Sequence, residues 1–196
     1  MVIFANLLPE ARIAVTDLHT GVIMIDWGEY FLAWACFLGA HVIPALKGPR
    51  SWLIGHLGRR GYLVAFSGVS VMLLLWLIGA AGRAPHLQLW DSGLPGRWLV
   101  NLAMPVAILC GCLAAGLSGL VLAFAIWSGA HLVANGDLAH VLLFGGMLTF
   151  ALTGLARSGV PRSVRMTPMR ISAGFGLWLV LFWLHPHVIG ASPRPF

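Results

Sequence analysis

Apolar residues fill this chain in blocks of about eighteen to twenty, separated by short polar or basic stretches. A helix of that length crosses the roughly 30 Å of a bilayer's hydrocarbon. One block runs from Trp27 to Leu46 and a second from Tyr62 to Gly82. A third starts near Trp98 and breaks around Gly116 to Gly119, and a fourth ends at Asn135. The fifth runs from Leu138 to Leu155 and the sixth ends at His185. The pattern predicts an all-α polytopic membrane helix bundle of about six transmembrane helices over residues 27–190, with a tail at 191–196. Residues 1–26 interrupt their apolar start with Pro9, Glu10, Arg12 and Asp17. They lack a basic n-region and a small-residue cleavage site, so an extramembrane or interfacial segment is expected there rather than a signal peptide.

The breaks carry their own signals. Pro44 and Gly48 end the first span, and Ala35 with Gly39 forms a small-xxx-small pair that lets another helix approach. Lys47 to Arg60 reads as a loop with four basic residues and no acid. Pro105 predicts a kink, and Pro186, within His185-Pro-His187, predicts a helix stop. Asn135 and Gly136 suit a left-handed helix terminus, with Asp137 placed to cap the helix that follows.

Composition agrees with a membrane protein. The chain is 59% hydrophobic and 9% charged, with a mean hydropathy of +0.89. Soluble domains carry about a quarter charged residues, so this chain cannot cover itself in water. The net charge of +6 does not indicate nucleic acid, because the basic residues lie between apolar spans. Six spans place the two richest basic loops, Lys47 to Arg60 and Arg157 to Arg170, on one side. Positive-inside asymmetry makes that side cytoplasmic. Both termini and the Asn135 to Asp137 turn are then expected on the periplasmic side of a bacterial inner membrane. The nine tryptophans sit mostly near span ends, as interfacial belts require. Cys36, Cys110 and Cys112 fall inside apolar spans and read as small buried residues rather than a disulfide framework.

Ionisable groups at membrane depth are costly, so His41 and His131 are the sharp candidates for chemistry. Neutral imidazole is the least expensive of these groups and a good iron ligand. A haem ligated from two helices is feasible on this spacing, and a structural imidazole bonded to a backbone carbonyl is the alternative. Asn135 lies one turn from His131 on the same face, to line a pocket or steady the turn. His140, past the helix break, reads as an interfacial residue, with a third pocket group as the alternative, and His19, His56, His86, His185 and His187 fall at ends or loops. Asp26 and Glu29, at the outer end of the first span, read as wet. No paired carboxylates, nucleophile–base pair or phosphate-cradling glycine loop is found, and acids are too scarce within spans for an ion-coupled transporter.

Several strings together resemble the NnrU family. They are Gly39-Ala-His41-Val-Ile-Pro-Ala-Leu, Gly61-Tyr, Leu89-Trp-Asp, His131-Leu-Val-Ala-Asn-Gly-Asp-Leu, Leu143-Phe-Gly-Gly146 and His185-Pro. The family includes zeta-carotene isomerase, a haem b membrane protein, and bacterial members linked to denitrification and nitric oxide metabolism. The resemblance implies six membrane helices and haem b, with His41 and His131 as iron ligands. It leaves three functions open: redox or nitric oxide chemistry at the iron, a non-catalytic accessory subunit of a membrane redox or denitrification complex, or haem-dependent isomerisation of a hydrophobic polyene. The chain departs from the family pattern in its short link between spans three and four and in its N-terminal 25 or so residues.

Overall fold

The computed structural model describes residues 27–42, 46–114 and 116–196; the predicted N-terminal segment and Pro44 lie outside the described residues. Six helices account for most of them. Helix α1 covers 27–42, α2 Lys47–Arg83, α3 Gly93–Leu113, α4 Leu117–Ala134, α5 Leu138–Ser158 and α6 Pro168–Val188. Helices α2 to α6 are each long and apolar enough to cross a membrane. The all-α polytopic bundle expected from the hydrophobic blocks is what the chain forms.

Two boundaries differ from expectation. The basic stretch from Lys47 is helical rather than a loop. Pro49 falls in the first turn, where its missing N–H costs little, and the break comes later, at Gly58, with φ 68° and ψ 164°. Only glycine adopts that backbone readily. At the other end, Pro186 does not stop α6, which continues to Val188. A proline removes one helical bond, and here the last turn is closed regardless. The Ile189 N–H donates to the His185 carbonyl at 2.9 Å, and His185 Nδ1 meets the Ala191 carbonyl at 2.7 Å.

The chain divides into two compact units, Met1–Pro85 and His86–Phe196. In the first, α1 and α2 run antiparallel. Glu29 accepts from Arg83 at 2.6 and 3.1 Å and from the Trp76 indole at 3.0 Å, while His41 packs edge-on against Phe66 at 5.4 Å. Glu29 is therefore an ion-pair partner, and it remains the wet end residue expected, with its side chain 37% exposed. Its partners lie 47 and 54 residues away, beyond the reach of any local pattern. A Cβ built at Gly39 meets nothing within 4 Å, so the close approach expected at Ala35 and Gly39 is not made among the described residues.

In the second unit α3 packs between α4 and α6, and α4 also packs against α5. The buried residues are mostly small, including Ala107, Ala125, Ala130, Ala139 and Ala151, whereas large apolar side chains such as Leu102, Leu152 and Trp183 point outward. That inversion is how helices pack in lipid, where association relies on close backbone approach. Gly174 shows it directly: a Cβ there would lie 2.9 Å from Leu109 of α3.

The connections alternate between two ends. The α2–α3 loop is bonded to the α4–α5 turn by Leu138 N–H to the Leu87 carbonyl at 2.9 Å. At the other end the α3–α4 link meets the α5–α6 loop, where the Arg165 N–H donates to Leu113 at 2.8 Å. Four helices that alternate in this way cross the membrane in opposite directions. Single cysteines at Leu87 and Arg162, in a protein lacking its three native cysteines, should therefore react with a membrane-impermeant maleimide from opposite faces. Labelling of both from one face would refute the alternation.

Candidate functional site

The site grows out of three residues. Helix α4 stops at Ala134 and α5 starts at Leu138, leaving Asn135, Gly136 and Asp137 to reverse the chain. Helix ends leave carbonyls and N–H groups without intrahelical partners, and each must be met. Asn135 closes the last turn of α4 with two bonds to the His131 carbonyl, from its backbone N–H at 2.9 Å and from Nδ2–H at 2.8 Å. Asp137 caps α5, accepting the His140 N–H at 3.4 Å, as its position predicts.

The left-handed terminus expected at Asn135 and Gly136 is absent. Asn135 has φ −116°, and Gly136 is not among the positive-φ glycines. Gly136 is needed for space instead. Its carbonyl accepts the Leu89 N–H at 2.7 Å, and a Cβ on it would collide with the Trp90 carbonyl oxygen and lie 2.7 Å from the indole. The Trp90 indole N–H donates to Val133 at 3.0 Å, and the Ser92 hydroxyl donates to Ala134 at 2.7 Å. The α2–α3 loop is thus tied to the last carbonyls of α4.

One turn before that tie sits His131. Its Nδ1 lies 2.9 Å from the Trp127 carbonyl. A carbonyl can only accept, so Nδ1 carries the hydrogen and Nε2 carries the lone pair. The ring is flanked by Trp127 at 5.4 Å and Phe144 at 5.0 Å, and lies within electrostatic range of His140 and His185. His41, half-buried in the first unit, has the same arrangement, with Nδ1 2.7 Å from the Phe37 carbonyl and the two rings 4.3 Å apart. Of the predicted site residues, His131 and Asn135 come together in the second unit, while His41 belongs to the first.

His140 is more than an interfacial residue. Its Nδ1–H donates to Asp137 Oδ2 at 2.8 Å, and its ring stacks on Phe144 at 6.2 Å. Asp137 is buried and also accepts the Leu87 N–H at 2.9 Å. Burial pushes its carboxyl up, but the bonds from His140 and Leu87 outweigh that and hold it below the usual carboxylate range. His140, Asp137, Asn135, His86 and Gln88 line a cleft of about 250 Å³. The sequence signal for the pair is the capping spacing itself: a histidine three residues after an N-cap aspartate reaches back to it.

The family model of the NnrU protein matches residues 29–193, most of the chain. The chain belongs to the NnrU family. Comparison with curated proteins and with solved structures gave no match. The NnrU match includes His41, His131 and the Asn135 to Asp137 turn, so the geometry above lies within the family's own region. Among the described residues no group of three or more His, Cys, Asp or Glu side chains is poised around a metal ion. Haem asks for less: one or two axial donors from the protein. His131 and His41 fit that demand chemically, because an Nδ1–H bonded to a carbonyl fixes the tautomer and orients Nε2 for iron.

Two outcomes follow from the turn. Gly136→Ala should lower stability by about 1–3 kcal/mol, since the added methyl must separate two bonded loops; an unchanged thermal midpoint would contradict the close approach. Asp137 has a folded pKa below its unfolded one, so its stabilisation is complete above the ordinary carboxylate range. It is lost as pH falls through the depressed folded value. Asp137→Asn should flatten that acid limb in thermal melts of the detergent-solubilised protein, while a limb of unchanged slope would assign it to other groups.

Proposed function

We propose that this NnrU protein is a haem b-binding integral membrane protein, with His41 and His131 as axial ligands and Asn135 fixing the backbone that carries His131. The observation that supports the reading best is the setting of His131. It stands in an apolar span with the rings of Trp127 and Phe144 beside its imidazole, and the bond from Nδ1–H to the Trp127 carbonyl leaves Nε2 as the donor atom. The same carbonyl bond at His41 supports it as the second donor.

Haem held by these histidines would supply one-electron chemistry and binding of a small gas such as nitric oxide. The chain's own contribution is binding and orientation. Trp127 and Phe37 hold their histidines in one tautomer through backbone carbonyls. Trp127 and Phe144 pack beside the His131 imidazole, and Phe37 and Phe66 beside that of His41. Asn135 secures the last turn of α4. The assignment to nitric oxide or denitrification metabolism in a bacterial inner membrane, with termini on the periplasmic side, belongs to this reading.

The test is an absorption spectrum of the purified protein beside His41→Ala and His131→Ala. A Soret band in the wild type, lost or strongly reduced in both variants, is expected. A band unaffected by either substitution would remove the ligand assignment, and a colourless wild type grown with ample iron would remove the cofactor. Nitric oxide added to the reduced protein should shift the band; no shift would exclude gas chemistry at the iron.

A further inference from the structure

We infer that the cleft between the α2–α3 loop and the α4–α5 turn is an acid–base site for a small neutral molecule bearing an O–H group, with His140 taking and returning the proton. The site stands on its own residues and does not depend on haem. Capping explains why Asp137 accepts the His140 N–H, but the cap is complete without the ring. The further bond, from Nδ1–H to Asp137 Oδ2 at 2.8 Å, orients the imidazole. A carboxylate only accepts, so Nε2 carries the lone pair. It has no hydrogen-bond partner among the described residues, and the side chain is 31% exposed.

An aspartate behind an imidazole fixes its tautomer and stabilises the imidazolium that forms when it acts as a base. Asp137 is equipped for this, because the Leu87 N–H and the His140 N–H hold its other lone pairs. The rest of the cleft suggests the ligand. Asn135 spends its Nδ2 on the His131 carbonyl, and Gln88 spends its amide nitrogen on the Trp90 carbonyl. Each NH2 keeps a second hydrogen, so both amides offer an N–H and an acceptor oxygen beside the imidazole of His86, a mix that an O–H group, donor and acceptor at once, can meet. No lysine or arginine lines the cleft and Asp137 faces it, so an anion is disfavoured. About 250 Å³ suits a few heavy atoms. In the step, the ligand's O–H bond breaks with its electron pair left on oxygen, and the proton forms the N–H bond at His140 Nε2. The imidazolium then gives the proton back to that oxygen, so the O–H bond re-forms and the step balances. No oxidant or reductant is required.

Diethyl pyrocarbonate, which acylates uncharged imidazole, tests this on the full-length protein in detergent at pH 8, with sites located by mass spectrometry. His140 should react about tenfold faster than the more exposed His56 and His187, the factor a single charge-assisted hydrogen bond carries. Exposure alone would give the opposite order. Asp137→Asn should remove that advantage without changing His56 or His187, and Asp137→Glu should restore most of it. Glycerol, as an O–H probe of matching size, should slow His140 and spare His187. A wild-type His140 no faster than His187, or one indifferent to Asp137→Asn in a variant whose His131 stays protected, overturns the dyad. A His140 rate indifferent to glycerol overturns the ligand. Unfolding of the Asn variant is visible as new reaction at His131, and the wild-type comparison then decides alone.

Discussion

A chain that reverses direction near a membrane must satisfy the backbone groups its helix ends expose, because hydrocarbon offers them nothing. Here two connections far apart in sequence satisfy each other. The Gly136 carbonyl takes the Leu89 N–H, Leu87 and Leu138 exchange a bond, and Asp137 holds both the start of α5 and the Leu87 N–H. The contact is tight enough that only glycine fits at 136. Everything chemical in the second unit hangs from this junction. It fixes the last turn of α4, from which His131 projects, and it builds the walls of the polar cleft beside His140.

The two chemistries lie a few residues apart but in different surroundings. His131 is set among Trp127 and Phe144, with its Nδ1–H given to a carbonyl, an arrangement that suits a metal ligand. His140 gives the same hydrogen to a carboxylate and faces a polar cleft, which suits a base. Phe144 packs against both rings, at 5.0 Å from His131 and 6.2 Å from His140. The two proposed roles thus go with different surroundings, an apolar span for His131 and a carboxylate at a polar cleft for His140.

Much of the architecture was legible because lipid imposes one period and one length. The start of α2 apart, the apolar blocks located the helix ends they marked to within about five residues, and Asp137 read as a cap because capping is a local matter. What escaped was either non-local or a question of space. The Glu29–Arg83 pair spans more than fifty residues, and Glu29 alone looks like an ordinary interfacial acid. Gly136 was expected for its backbone freedom, yet its φ is unexceptional and the reason for it is the indole of Trp90 across the junction. The helical stretch from Lys47 was masked by its charge, since basic residues near a membrane read as a loop whether or not they are wound. His140 was ranked by its distance past a helix break, although the same break supplied the carboxylate that orients it.

The central claim is that the imidazole of His131 is an iron ligand held in one tautomer. Electron paramagnetic resonance of the oxidised, purified protein addresses it most directly. A low-spin ferric signal of two axial imidazoles, replaced by a high-spin signal or lost in His131→Ala, is the predicted result. A wild type with no haem signal, or one whose spectrum is the same in His131→Ala, would contradict it.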